Sequence, residues 1–129
     1  MERKILFKAK RLDNGEFVEG DLLHKGSRVY IYHPYINNNG FLIENLEVDP
    51  STVCQFTGLK DKDGNSIWEH DLVDSFPISE VVYIRGSFML YQKDEDREGY
   101  HPLLYFVQGD VLLDCRVISS KFDRKEGEK

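Results

Sequence analysis

The stretch from Val53 to Val73 constrains the fold more than any other part of this chain. Val53-Cys54-Gln55-Phe56-Thr57-Gly58-Leu59 and Ser66-Ile67-Trp68-Glu69-His70-Asp71-Leu72-Val73 are short apolar-rich runs on either side of Lys60-Asp61-Lys62-Asp63-Gly64-Asn65. Asp-Gly and Gly-Asn tolerate positive φ, so the polar middle reads as a tight turn and the whole as a hairpin. The hairpin contains the chain's one tryptophan, Trp68.

The same punctuation recurs. Ile5, Phe7 and Ala9 alternate with Leu6, Lys8 and Lys10, the period of a strand with one buried face. Asp13-Asn14-Gly15 and Lys25-Gly26-Ser27 are turn signals, and Arg28 to His33 is dense in β-formers. Pro34 to Gly40 reads as a loop with Asn37 to Gly40 as its most mobile part, and Phe41 to Glu44 as a strand. Asp49-Pro50-Ser51-Thr52 predicts a helical turn, with Asp as cap and Pro at the first position. Glu80 to Ile84 and Phe88 to Tyr91 flank Arg85-Gly86-Ser87, a further hairpin. Leu103 to Val107 fits either a buried strand or a short helix. Val111 to Leu113 and Cys115 to Ile118 complete the series.

These runs predict a mostly β fold: a small barrel or sandwich of antiparallel hairpins with at most short helical turns. With 129 residues, one domain over residues 1–122 is expected, followed by a charged flexible tail at 123–129. Asp13 to Leu23 aligns without gaps on Asp63 to Val73, with Asp, Glu, Asp and Leu identical and a kink at Gly20 or His70. Coincidence between two turn-and-strand segments explains the match as well as duplication does. Duplication would place two similar strand pairs in the fold.

Composition narrows function. The net charge of −6 argues against coating a polyphosphate non-specifically. Arg3, Lys8, Lys10 and Arg11, with Lys4, form a basic cluster that keeps nucleic acid as a lesser alternative, although a solvated strand face is the simpler reading. Cys54 and Cys115 are far apart and outside any C-x-x-C pattern, which suits small buried hydrophobes in a reducing compartment. Met1 to Phe7 is too short in apolar residues for a signal peptide, and no run is long enough to span a bilayer. A cytoplasmic protein with no membrane partner is therefore expected.

No catalytic or metal-ligating constellation is legible, and no cofactor is called for. Asp61-x-Asp63-Gly64-Asn65 fails the calcium-loop template, because the required Gly would fall on Ser66 and the terminal Glu on Leu72. Glu69-His70-Asp71 alternates faces in an extended strand and reads as a kink before it reads as an acid–base site. His24, His33, His70 and His101 share no ligand spacing. An enzyme would need a site assembled only in the fold. Tyr30 and Tyr32 share a face, and with Tyr35 and Arg28 they form the candidate interface of a homo-oligomer, argued from an exposed strand edge. Base stacking on the same tyrosines is the alternative.

Phe56-Thr57-Gly58-Leu59-Lys60-Asp61-Lys62-Asp63-Gly64-Asn65-Ser66-Ile67-Trp68-Glu69-His70-Asp71-Leu72-Val73 closely resembles the signature of the YopX family of small phage and prophage proteins. That signature is roughly aromatic-Thr-Gly-Leu-Lys-Asp-Lys-Asn-Gly-Lys-x-Ile-aromatic-Glu-Gly-Asp-(Ile or Leu)-Val. Val48 to Val53, Phe7 to Gly20, Val81 to Tyr83 with Gly86 to Phe88, and Arg116 to Ile118 also resemble the family, so the likeness runs from about Ile5 to Phe122. His70 stands where the family has Gly, which implies a kink with less positive φ. Ser119 to Lys129 departs from the family's usual ending. The resemblance implies a mostly β fold, a phage or prophage source in a bacterial host, and self-association. It brings no activity and no catalytic residues. The expectation is a phage accessory protein that is non-enzymatic and acts through contacts with itself and with an unknown phage or host protein.

Overall fold

The computed structural model describes residues 4–74, 78–112 and 115–123. Arg3, Pro77, Leu113 and all of the tail beyond Asp123 lie outside the described residues. The fold is mostly β, with 60% strand, 6% helix and no helix of seven or more residues. The chain divides into two compact units, Met1–Gln55 and Phe56–Lys129.

In the first unit, β1 (Phe7–Lys10), β2 (Phe17–Lys25), β3 (Arg28–Ile36) and β4 (Leu42–Val48) form an antiparallel meander. The start of β5 (Cys54–Lys60) pairs with β1 through Phe7–Gln55 and Lys8–Cys54. The order β5-β1-β2-β3-β4 leaves β4 at one end. Alternation sends Ala9, Val18, Val29, Ile31, Leu46 and Val48 into one core.

β2 changes partner in mid-strand. Phe17–Gly20 pair with β1, and Asp21–Lys25 pair with β3. The switch depends on Gly20, where a Cβ would lie 2.0 Å from the Tyr32 carbonyl oxygen. At the far end of β4 a single bridge joins Val48 to Arg11. The predicted turn follows as a 3-10 turn at Pro50–Thr52, its Asp49 carboxylate accepting from the Ser51 amide at 3.0 Å. The strand ladder stays open, so of the two expected forms the barrel is set aside.

The second unit repeats this plan. β6 (Ser66–Trp68) pairs with β5, whereas β7 (Asp71–Val73) pairs with β8 (Ser79–Ile84), and β8 with β9 (Ser87–Lys93). β5 therefore stands to β6, β7, β8 and β9 as β1 stands to the two halves of β2, then β3 and β4. The aligned segments Asp13–Leu23 and Asp63–Val73 each hold the partner switch, as duplication requires. β10 (Glu98–Pro102), β11 (Val107–Gln108), β12 (Val111–Leu112) and β13 (Val117–Ser120) are additions with no counterpart among the described strands of the first unit. β10 and β13 close the two ends of the five-stranded order β10-β9-β8-β7-β13, whereas β11 pairs with β12, which runs parallel to β5 at Val111–Lys60. Leu103–Phe106, read as strand or helix, is a 3-10 turn. Ile67, Val73, Val81, Leu90, Leu103, Leu112 and Cys115 fill this unit's core.

The kink at His70 corrects one expectation. His70 has φ +71°, fully left-handed, although it stands where the family pattern has glycine. Three sets of bonds hold it there. Its amide donates to the Val81 carbonyl at 2.6 Å, its carbonyl accepts from the Lys121 amide at 2.7 Å, and its Nδ1 lies 2.9 Å from Glu80 Oε2.

Candidate interaction surface

The β3–β4 hairpin continues past the point where β2 leaves it. Tyr32 is the last β3 residue paired with β2, and beyond it Tyr35 pairs with Ile43 and Ile36 with Leu42. A register shift between Tyr32 and Tyr35 sets this arm off from the sheet. Its turn is ordered from within. Asn37 donates its amide to the Phe41 carbonyl at 2.9 Å, and its side-chain Oδ1 accepts from the amides of Asn39 and Phe41, each at 3.0 Å. The segment read as the most mobile part of the loop is thus a hydrogen-bonded turn. It presents Ile36, Phe41 and Leu42 at 63%, 67% and 56% exposure. Three large apolar side chains adjacent on one tip are more than scattered surface hydrophobics, which need no explanation.

At the base of the arm lies a cleft of about 540 Å³, lined by Phe17, Val18 and Leu46 together with Arg11, Glu16, Glu19, His33 and Tyr35. Arg11 donates to both Asp13 oxygens at 2.9 and 2.6 Å, on the same cleft wall as Tyr35. The hydrogen bond from Arg11 holds the Asp13 carboxyl below its ordinary value. His33 Nδ1 sits 2.9 Å from the Glu19 carbonyl oxygen. A carbonyl can only accept, so in the neutral ring Nδ1 carries the proton and Nε2 is left as an acceptor. With the Glu16 and Glu19 carboxylates, the rim is rich in acceptors over an apolar floor.

The candidate residues named from the sequence fall on three parts of this unit. Arg11 and Tyr35 meet in the cleft. Lys8 and Lys10 converge on the Phe17 ring, at 4.6 and 5.7 Å from its centroid. Lys8 also stands directly opposite Glu19. The neighbourhood of Tyr30 and Glu47 pushes the Arg28 guanidinium up, and Lys25 Nζ lies 5.7 Å from the Tyr30 centroid. Tyr30 is half-buried and Tyr32 is 42% exposed, on the face opposite Val29 and Ile31. Arg3 lies outside the described residues. The edge argument behind the tyrosine interface does not hold, because β2 and β4 pair with β3 on both sides and the open edge belongs to β4.

Residues 6–108 match the family model described as YopX protein. The chain belongs to the YopX family. No curated protein matches it.

Elsewhere in this YopX-family chain, polar groups that looked chemical in the sequence serve the backbone. Asp61 is buried, and its Oδ1 accepts from the amides of Asp63 at 2.9 Å and Asn65 at 2.8 Å. Its Oδ2 accepts from the Val117 amide at 2.9 Å and the Asn65 side chain at 3.3 Å. Burial pushes this carboxyl up, but the donors of Val117, Asn65 and Asp63 outweigh burial and hold it below its ordinary value. Asp71, also buried, accepts from the Trp68 amide at 2.8 Å. His70 lies between Glu80 at 2.9 Å and Glu69 at 3.5 Å. Tyr91 donates to Glu98 at 2.7 Å, which pushes the phenol up to about 12. Among the described residues no group of three or more His, Cys, Asp or Glu could hold a metal ion, and no helix is long and apolar enough to cross a membrane.

Sequence reasoning passed over Ile36, Phe41, Leu42, Glu16 and Glu19, and it weighed His33 without placing it in a cleft. The signal present in the sequence was Ile36 and Phe41-Leu42 on either side of Asn37-Asn38-Asn39-Gly40, apolar residues at the tip of a polar turn.

Proposed function

We propose that this chain is a non-enzymatic accessory protein of a phage or prophage, acting in the cytoplasm of the bacterial host through protein contacts. Those contacts are with a second copy of itself and with a phage or host protein. The observation that carries this reading is the ordered arm tip, where Ile36, Phe41 and Leu42 are held in solvent by a hydrogen-bonded turn. An ordered apolar surface binds a partner without the entropy cost of ordering a loop first. The homo-oligomer contact is taken to include Arg28, Tyr30, Tyr32 and Tyr35, which lead into the arm. The phage setting follows from what the family resemblance implies.

Light scattering on the purified protein tests self-association. A mass near the 15.1 kDa chain at micromolar concentration refutes it, and an oligomer that Tyr32→Lys dissociates without loss of fold supports it. An affinity pull-down from phage-infected cells, against an uninfected control, addresses the second partner. Nucleic acid remains the lesser alternative, because Lys8 and Lys10 are already engaged with Phe17 and Arg11 with Asp13. Binding to single strands or duplexes that weakens steeply with salt would favour it.

A further inference from the structure

We infer that the arm tip of one copy seats in the arm-base cleft of a second copy, and reciprocally, so that two molecules exchange arms about a two-fold axis. This rests on the self-association proposed above and names its contact.

The tip is suited to burial. From Ile36 to Ile43 the arm carries no ionisable side chain, so covering it desolvates no charge. The cleft is its chemical counterpart. Phe41 and Leu42 match the floor of Phe17, Val18 and Leu46. Asn38 and Asn39 bring amide donors to the acceptors on the rim, Glu16, Glu19 and His33 Nε2, beside the Arg11 guanidinium that Asp13 already holds. The same rim suits a bare cation less well, because Lys8 and Lys10 already stand at the Phe17 ring beside it.

The placement supplies the symmetry. Tip and cleft lie at opposite ends of one short arm, with Tyr35 in the cleft lining and Asn37 to Phe41 at the turn. Setting a second arm antiparallel to the first brings each tip to the other's cleft in one operation, which is the condition for a closed isologous dimer. The edge facing the partner arm in that arrangement is the outer side of β4 from Leu42 onward, ahead of the bridge that joins Val48 to Arg11.

The test uses the full chain. Light scattering of the wild type is expected to give a dimer. Phe41→Asp is expected to weaken it by at least ~30-fold, the scale of a hot-spot residue, with unchanged melting. Glu16→Cys and Phe41→Cys provide the second readout, since the native Cys54 and Cys115 are buried. Under mild oxidation, a mixture of the two variants is expected to give the mixed disulfide in excess over either homodisulfide. A monomeric wild type overturns both this inference and the self-association it rests on. A dimer that survives Phe41→Asp, or a mixed disulfide no more abundant than the homodisulfides, overturns the arm exchange alone. Binding of the wild-type tip to phosphatidylcholine vesicles, lost in Phe41→Asp, would also overturn it, by making a lipid surface the occupant.

Discussion

Asp61→Asn removes one charge and almost no volume, and its effect can be worked bond by bond. The asparagine keeps a carbonyl oxygen for the amides of Asp63 and Asn65. It turns an NH₂ towards the Val117 amide, so donor meets donor where a 2.9 Å bond stood. An unsatisfied buried amide costs about 1–3 kcal/mol. The two remaining bonds lose their charge assistance, at roughly 1 kcal/mol each. The expected loss is about 3–5 kcal/mol, large for one isosteric change because the bonds join a turn to a strand 56 residues away. Urea melts of wild type and variant measure it. The pH dependence is a second signature. The folded-state carboxyl lies below its ordinary value of 3.8, so its stabilisation is complete above that value and is lost as pH falls through the lower folded one. The gap between wild type and variant should therefore be flat from about pH 7 to about pH 5 and should narrow below about pH 4. A gap under ~1 kcal/mol at neutral pH, or one that stays constant into the acid range, would refute the reasoning.

Gly20→Ala is expected to cost about 3 kcal/mol or more, because the added carbon meets the Tyr32 carbonyl oxygen at 2.0 Å and Ile31 Cγ2 at 2.9 Å; chemical denaturation reads it, and a near-neutral result would mean the strand switch is not tight. His70→Val should cost about 2 kcal/mol, since a β-branched residue resists φ +71°, whereas His70→Gly, which relieves strain while giving up the Glu80 contact, should change stability by less than ~1 kcal/mol. Equal losses in a thermal melt of the two variants would show that the side-chain contacts, not the backbone, set the cost. Trp68→Ala should cost about 3–5 kcal/mol, since Trp68 is buried and packs on Phe56 at 5.4 Å between centroids; normal melting of the variant would contradict that packing.

Local geometry was legible in the sequence. Positive φ at Gly15, Gly26, Gly64 and Gly86 falls where the turn signals placed it, and Asp49 caps the predicted turn with both its amide and hydroxyl bonds to Ser51. The alternation of Val29, Tyr30, Ile31 and Tyr32 gave the correct faces of β3. What alternation does not encode is the neighbour. Nothing in Arg28 to Tyr35 reports that β4 returns to cover its second edge, because pairing depends on a turn and a strand further on. The cleft was invisible for the same reason: Arg11, His33 and Leu46 come from three elements with unrelated spacing. The Asp61–Val117 bond is a tertiary contact, and the turn signature around Asp61 would read identically without it.

The two aligned segments show how far identical letters can diverge in role. Each copy must pass one strand from one partner to another at the same point. The first copy does so by removing a side chain, so that Gly20 lies against the Tyr32 carbonyl within a continuous β2. The second does so by breaking the strand, with His70 in the left-handed region and its backbone tied to Val81 and Lys121. The aspartates that follow are aligned and identical, yet Asp21 is exposed in the first copy, whereas Asp71 is buried and accepts from the Trp68 amide in the second. A broken strand exposes amides that a continuous one keeps paired, so only the second solution needs an internal acceptor at that position. The first unit, with its switch closed by glycine, is free to carry β3 and β4 on past β2, and it is there that the arm and its cleft are built.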